Sequence, residues 1–265
     1  MRTEHVASLR STLDWLKDDV KVIEGEVDPV LEIGAIQKAF DEGPAIVVNN
    51  VKGYSDVRLI ANMYSEQGRI ARLLGAESFA STKFKILDAI KNPVAPVEVS
   101  KAPCQEIFIP REEVDPFQFF PMIKHTEKDG GRFFGSGVHY ISGKYAEGGN
   151  QLAFYRMSFR GKDYASINMV PGGHGDQIAD KFRNEKIPCT VNICPSPAVE
   201  LVATGSVSSV VFPTMDEIGA AGALQGSPVE IVKAKTVDAY AIANAEWVIE
   251  GYIVPYEKVW ETEEA

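Results

Sequence analysis

Cysteine is scarce in this chain of 265 residues: only Cys104, Cys189 and Cys194 are present. An odd number without metal-ligand spacing argues against a disulfide framework or a zinc cluster, and predicts reduced thiols and a cytoplasmic location. Cys189 and Cys194 flank the apolar TVNI and read as buried thiols in a strand, with a catalytic cysteine as the alternative. Long apolar runs are missing too: no stretch of about 18 residues could span a membrane. The opening MRTEHVASLRSTLDWLKDD is polar and mixed in charge, unlike a secretory leader. Positive charge is in deficit, with 27 Lys and Arg against 37 Asp and Glu and a net charge of −10. That balance gives no general pull toward nucleic acid or anionic lipid. Three familiar signatures are also absent. There is no G-x-x-x-x-G-K-[ST] phosphate loop, no G-x-S-x-G elbow, and no G-x-G-x-x-G after the early strand AIVVNNV.

What is present has the texture of a globular protein of one large or two modest domains, 45% hydrophobic and 24% charged. The first third alternates helix and strand. VASLRSTLDWLK and residues 28–41 carry apolar residues at helical spacing, and Pro44 opens AIVVNNV, a strand without alternation, as expected when both faces are covered. A helix is predicted over SDVRLIANMYSEQGRIARLLG, capped by Ser55 and stopped by Gly75, and another over ASTKFKILDAIKN. A short strand, QEIFI, and a long irregular connection rich in Pro, Gly and aromatics follow. From Val138 the texture turns to strands, interrupted by helices near 175–185 and 214–225, which suggests a closed or nearly closed barrel. The expected class is α+β: an N-terminal α/β domain over 1–110, a β-barrel domain over 111–255 and an acidic tail over 256–265.

Several residues could do chemistry. In INMVPGGHGDQIADKF, glycines stand before a helix opening at His174, where backbone N–H groups and the helix dipole would favour an anion such as a phosphate. A solvated histidine in a glycine-rich connection is the plain alternative. Arg156 lies mid-strand in QLAFYRMSF, so it reaches solvent at an edge or faces an acid or anion in a polar cavity. Alternation puts Leu152, Phe154 and Arg156 on one face and Gln151, Ala153 and Tyr155 on the other. Glu217 opens a helix of small apolar residues; it either favours the dipole or binds a metal. Glu217, an amide at Gln151 or Asn150, and His174 would form an oxygen-rich site suited to Mn²⁺ or Mg²⁺. TGSVSS adds hydroxyls, including Ser206 and Ser208, that could serve a phosphate or a monovalent cation, or form an ordinary loop. His125 says little, and His139 in its strand reads as structural.

Together, GPAIVVNNVKGY, RIARLLG, KAPCQEIFI, the H-x-x-x-DGGRFF-x-x-G run, FYRM, GGHGD, P-x-P-A-x-x-L, MDEIGAAGALQGSPVEIVK and AEWVIEGYI resemble the UbiD-like decarboxylase family across most of the chain. The resemblance implies a split β-barrel of flavin-reductase type holding prenylated FMN. It also implies non-oxidative, reversible decarboxylation of an aromatic or α,β-unsaturated acid through a covalent adduct with that flavin. By position, Arg156 falls on the active-site arginine and Phe154 and Tyr155 on cofactor contacts. Asn168, Met169, Val170, Gly173 and His174 fall on further cofactor positions, where Ser206 and Ser208 are placed as well. Gln151, His174 and Glu217 fall on metal positions for Mn²⁺ or Mg²⁺, with K⁺ as a further ion; the family has asparagine where this chain has Gln151. Glu261 lies near a catalytic acid, without the family's surrounding motif, and a second acid and a C-terminal domain would fall beyond Ala265. The resemblance thus implies a flavin prenyltransferase as cofactor supplier and a homo-oligomer, or a hetero-oligomer with a subunit supplying the missing part. A fragment, a split subunit and a naturally short relative all remain open. So do a non-catalytic flavin-binding or maturation subunit and a plain FMN reductase-like protein.

Overall fold

The computed structural model of this chain describes residues 3–130, 133–146, 150–205 and 215–260. In the N-terminal part, α1 (Leu9–Leu16) begins where the Ser8 hydroxyl accepts the Ser11 N–H, and it buries Leu9 and Leu16. It is followed by β1 (Val20–Ile23), α2 (Glu32–Ala39), β2 (Ala45–Val48), β3 (Leu59–Ala61), α3 (Gln67–Leu73) and α4 (Thr82–Lys91). β2 is buried along its whole length between β1, parallel to it, and β3, antiparallel. Buried Arg69 ties α3 to this sheet through Asp19 and the carbonyls of Gly43 and Asn62.

The helix expected from Ser55 is shorter than its periodicity suggests. Asn62 takes a positive φ of 55° and its amide donates to the Gln37 and Phe40 carbonyls, so the segment before it forms β3 and the helix starts only at Gln67. Gly75 does follow the helix end, at φ 60°. The predicted strand QEIFI is not one: Gln105 ends a single 3-10 turn, and Ile107 is 81% exposed.

The second part contains β4 (Val97–Glu98), α5 (Pro116–Phe119), β5 (Gly137–Ser142), β6 (Asn150–Phe154), β7 (Arg156–Phe159) and β8 (Ala165–Asn168). Then come α6 (His174–Lys181), β9 (Ile187–Ile193), α7 (Pro197–Ala203), α8 (Glu217–Gln225), β10 (Glu230–Lys233), β11 (Tyr240–Ile242) and β12 (Trp247–Ile253). Four strands form an antiparallel sheet in the order β12-β9-β5-β6; β7 and β8 make a separate hairpin, and β4 joins β10 and β11. Among the described residues, the strands thus form separate sheets rather than one closed barrel.

The two faces of the four-stranded sheet differ. Val138, Tyr140 and Leu152 enter the largest core, with α7 and α8. α8 is apolar on all sides and nearly all buried, as its small residues require. The other face carries His139, Ile141, Cys189 and Val191 and looks into a cleft. The Tyr64 hydroxyl donates to Glu200 of α7 at 2.5 Å and links the N-terminal part to the largest core.

Candidate functional site

QLAFYRMSF does not run as one strand. It breaks at Tyr155, pairing with β5 before the break and with β8 after it. Gln151 and Tyr155 still share a side, and the Gln151 amide donates to the Tyr155 hydroxyl at 2.8 Å. Gln151 Oε1 is buried and has no hydrogen-bond partner among the described residues. Phe154 packs against the largest core, on the opposite side from Tyr155.

The start of α8 docks on the free edge of β6. Asn150 Nδ2 donates to Asp216 Oδ1 at 2.7 Å, and its own Oδ1 accepts the Ile218 N–H at 3.0 Å. Both ends of Asn150 are therefore committed to the helix, and Gln151 is the amide with an open oxygen. Glu217 accepts the Leu152 N–H and is only 7% exposed. Burial pushes its carboxyl up to about 8, with Leu152 opposing and Asp216 adding to the shift. No cation pairs with Glu217 among the described residues.

α6 reaches the same place from another direction. Gly172 sits at φ 76°, and the Gly173 N–H closes a turn onto the Val170 carbonyl at 2.9 Å, which launches the helix at His174. At Gly175 a Cβ would collide with the Tyr155 hydroxyl, so glycine permits the close approach of α6 to Tyr155. Burial raises the Tyr155 hydroxyl to about 12, and Glu217 contributes to that shift. Gln151, Tyr155 and Glu217 thus form one buried polar group beside the turn that carries His174. Among the described residues no three His, Cys, Asp or Glu side chains gather as metal ligands, so a cation here would need the Gln151 oxygen.

Arg156 lies directly across the hairpin from Asn168 and is half-buried. Its guanidinium lies 5.3 Å from the Phe133 ring centroid. Asn168 and Met169 line the cleft, whereas Val170 is 74% exposed. The cleft holds about 1720 Å³ and runs between the β7–β8 hairpin and β12. Gln151, Tyr155, Arg156, His174 and Glu217 do not line it. His139 does, and it packs edge-on against Tyr155 with ring centroids 5.0 Å apart, joining the cleft to the buried polar group. Sequence reasoning read this residue as structural; the signal for a place on the cleft was a polar side chain in the middle of the apolar GVHYIS. Ser206, Ser208 and Glu261 lie outside the described residues.

Comparison with known proteins gives a consistent result. Residues 14–89 match the family model of the 3-octaprenyl-4-hydroxybenzoate carboxy-lyase N-terminal domain, and residues 95–264 that of the Rift-related domain of the same enzyme, UbiD. Gallate decarboxylase of Lactiplantibacillus plantarum is 31% identical over 273 residues, covering 96% of this chain and 55% of the relative. The UbiD-class enzyme HmfF from Pelotomaculum thermopropionicum, solved in an evolved dimeric form with prFMN, superposes with a TM-score of 0.84 at 29% identity, over 94% of this chain and 57% of that one. Apo 3,4-dihydroxybenzoic acid decarboxylase of Klebsiella pneumoniae gives 0.81 at 30% identity, over 93% and 54%. The chain spans about half the length of the relatives it matches.

Proposed function

This chain belongs to the UbiD family of carboxy-lyases, and from that premise we propose that it is the flavin-binding part of a non-oxidative decarboxylase. Its substrate would be an aromatic or α,β-unsaturated carboxylic acid, and its cofactor prenylated FMN. Relatives named for gallate and 3,4-dihydroxybenzoic acid favour a hydroxylated aromatic acid.

One observation carries the reading: among the described residues, an amide oxygen at Gln151 without a partner and a buried acid at Glu217 without a cation, set beside the glycine turn of His174. Buried polar atoms without partners and buried acids without cations are costly. A divalent cation such as Mn²⁺ or Mg²⁺ would satisfy both, and a phosphate would suit the neighbouring helix start. The residues present therefore fit a metal and a phosphate-bearing flavin. Gln151, His174 and Glu217 would hold the cation; Tyr155, Asn168, Met169, Val170 and Gly173 would border the flavin, with Ser206 and Ser208 completing its surroundings and Phe154 contributing backbone only. When bound, prenylated flavin supplies an electron sink for loss of CO₂.

The remaining work falls to the chain. Arg156, steadied against Phe133, would orient the substrate carboxylate, and exclusion of water would strengthen that pairing. Glu261 is the proposed acid. The cleft between hairpin and β12 would be the gap of a split barrel. Residues 1–110 would form the supporting domain, 111–255 the flavin domain and 256–265 a tail, with a second copy or the remaining half of the enzyme closing the site.

Co-expression with a flavin prenyltransferase, mass spectrometry of the bound chromophore and an assay of CO₂ release from gallate test the proposal. Arg156→Ala should lose about 10²–10³-fold in turnover with the chromophore retained. Undiminished turnover in that variant, or a wild-type chain that binds no flavin, would overturn it.

A further inference from the structure

A ribbon of backbone bridges runs from the N-terminal part to the hairpin that carries Arg156. It begins just before α2, where the Lys124 N–H donates to the Pro29 carbonyl at 3.1 Å and the Lys124 carbonyl accepts the Leu31 N–H at 2.8 Å. Val30 thereby pairs parallel with Lys124. Leu31 holds a φ of 72°, a costly conformation for a bulky residue, which persists only where its surroundings enforce it. Beside Lys124, Ile123 packs against the N-terminal core of Val27, Ile33, Ile46, Val48 and Val51 and bridges antiparallel to Phe133. Phe134 in turn exchanges two hydrogen bonds of 2.9 Å with Met157, the neighbour of Arg156 on β7.

The ribbon ends at the guanidinium. With Phe134 opposite Met157, Phe133 is a diagonal neighbour of Arg156 on the same face, and the guanidinium lies over its ring. Arg156 keeps part of its surface open to solvent. The start of the ribbon leaves no room for bulk: a Cβ at Gly34 would stand 3.0 Å from the His125 carbonyl oxygen and 3.3 Å from its Cα. Those are backbone atoms, which cannot swing aside as a side chain would. The two parts of the molecule are also joined elsewhere, by Tyr64 with Glu200 and by Arg10 with Glu246. Docking thus has other supports; what the ribbon adds is a fixed place for Phe133.

We propose that the start of α2 positions Arg156: Pro29, Leu31 and Gly34 set Lys124 and Ile123, which in turn set the Phe133 ring under the guanidinium. The inference rests on the decarboxylase reading, in which Arg156 orients the substrate carboxylate. Gly34 is then a positioning residue, acting on the substrate without touching it.

Binding in a mutant cycle tests it. FMN-saturated wild type, Gly34→Ala, Gly34→Val, Arg156→Ala and the two double variants are titrated with gallate and with pyrogallol, which has the same ring hydroxyls and no carboxylate. Displacing one charge-assisted hydrogen-bonding group should weaken gallate binding about 3-fold in Gly34→Ala and about 10-fold in Gly34→Val. Pyrogallol and FMN affinities should stay within about 2-fold of wild type, because Arg156 reads only the carboxylate. In the Arg156→Ala background the Gly34 changes should add less than about 2-fold to the loss for gallate, because the group they displace is gone. If Gly34→Val fails to fold, Gly34→Ala carries the same comparison: its Cβ alone meets the His125 backbone, and alanine favours the helix. Unchanged gallate binding in the Gly34 variants, equal losses for gallate and pyrogallol, or an undiminished loss in the Arg156→Ala background overturns the inference and leaves the decarboxylase reading intact. An Arg156→Ala variant that binds gallate as wild type does, or a wild type that binds neither FMN nor gallate, overturns both.

Discussion

Glu217 holds its proton to about pH 8, against an ordinary value of 4.5, because burial disfavours the charged form. Between those values the folded chain binds a proton that the unfolded chain has released. The contribution to stability is therefore full below about 4.5 and is lost as pH rises through about 8. Glu200, pushed up to about 7, acts in the same sense. His139, depressed to about 4, acts in the opposite sense below its ordinary 6.5, so the window from about 6.5 to about 8 isolates the acids. Metal-free protein should show urea midpoints that fall across that window, with a shallower fall in Glu217→Gln. Added Mn²⁺ at the upper end should raise the wild-type midpoint and leave the variant unchanged. The position of Glu217 at a helix start was legible in MDEIGAAGALQG. Its burial was not, because that follows from docking on Leu152, 65 residues earlier in the chain.

Elements meet at Gly175. A methyl group there would overlap the Tyr155 hydroxyl, so either α6 retreats from the sheet or Tyr155 releases Gln151. Gly175→Ala should cost about 1–3 kcal/mol, read from urea unfolding, as overpacking does. It should also weaken FMN binding. Tyr155→Phe in the same chain removes the colliding oxygen and should recover part of the lost stability; an additive double mutant would refute the contact. The turn before α6 was readable from VPGGHG, since glycines and a helix opening are local features. The break in FYRM was not. Alternation continues through Tyr155 in the sequence, but the two halves pair with different strands, β5 and β8. The helix expected from Ser55 failed for a related reason: the Asn62 amide is held by the carbonyls of α2 and the turn after it, a tertiary tie that local spacing does not register.

Across the whole molecule, one group of exposed apolar side chains borders the cleft, while others, such as Phe84 and Val170, lie away from it. Ile107, Phe108, Tyr164, Tyr252, Tyr256 and Val259 all border the cleft, beside β12 at the sheet edge. An apolar rim next to an open edge favours association. Light scattering over a concentration series should give masses above the 29.0 kDa of one chain, and Tyr252→Lys with Val259→Glu should shift them down. A constant monomer mass would remove the oligomer proposal. By itself the sequence determined most of the periodic elements, the acidic balance, the glycine turn and the family, because each depends on neighbouring residues or on their order. Only the tertiary structure decided which amide keeps an open oxygen among the described residues, that Phe154 faces the core, that Glu217 is buried with no cationic partner among them, and that His139 lines the cleft. Those outcomes depend on which distant segments pack together, as when Asn150 is spent on Asp216, 66 residues away.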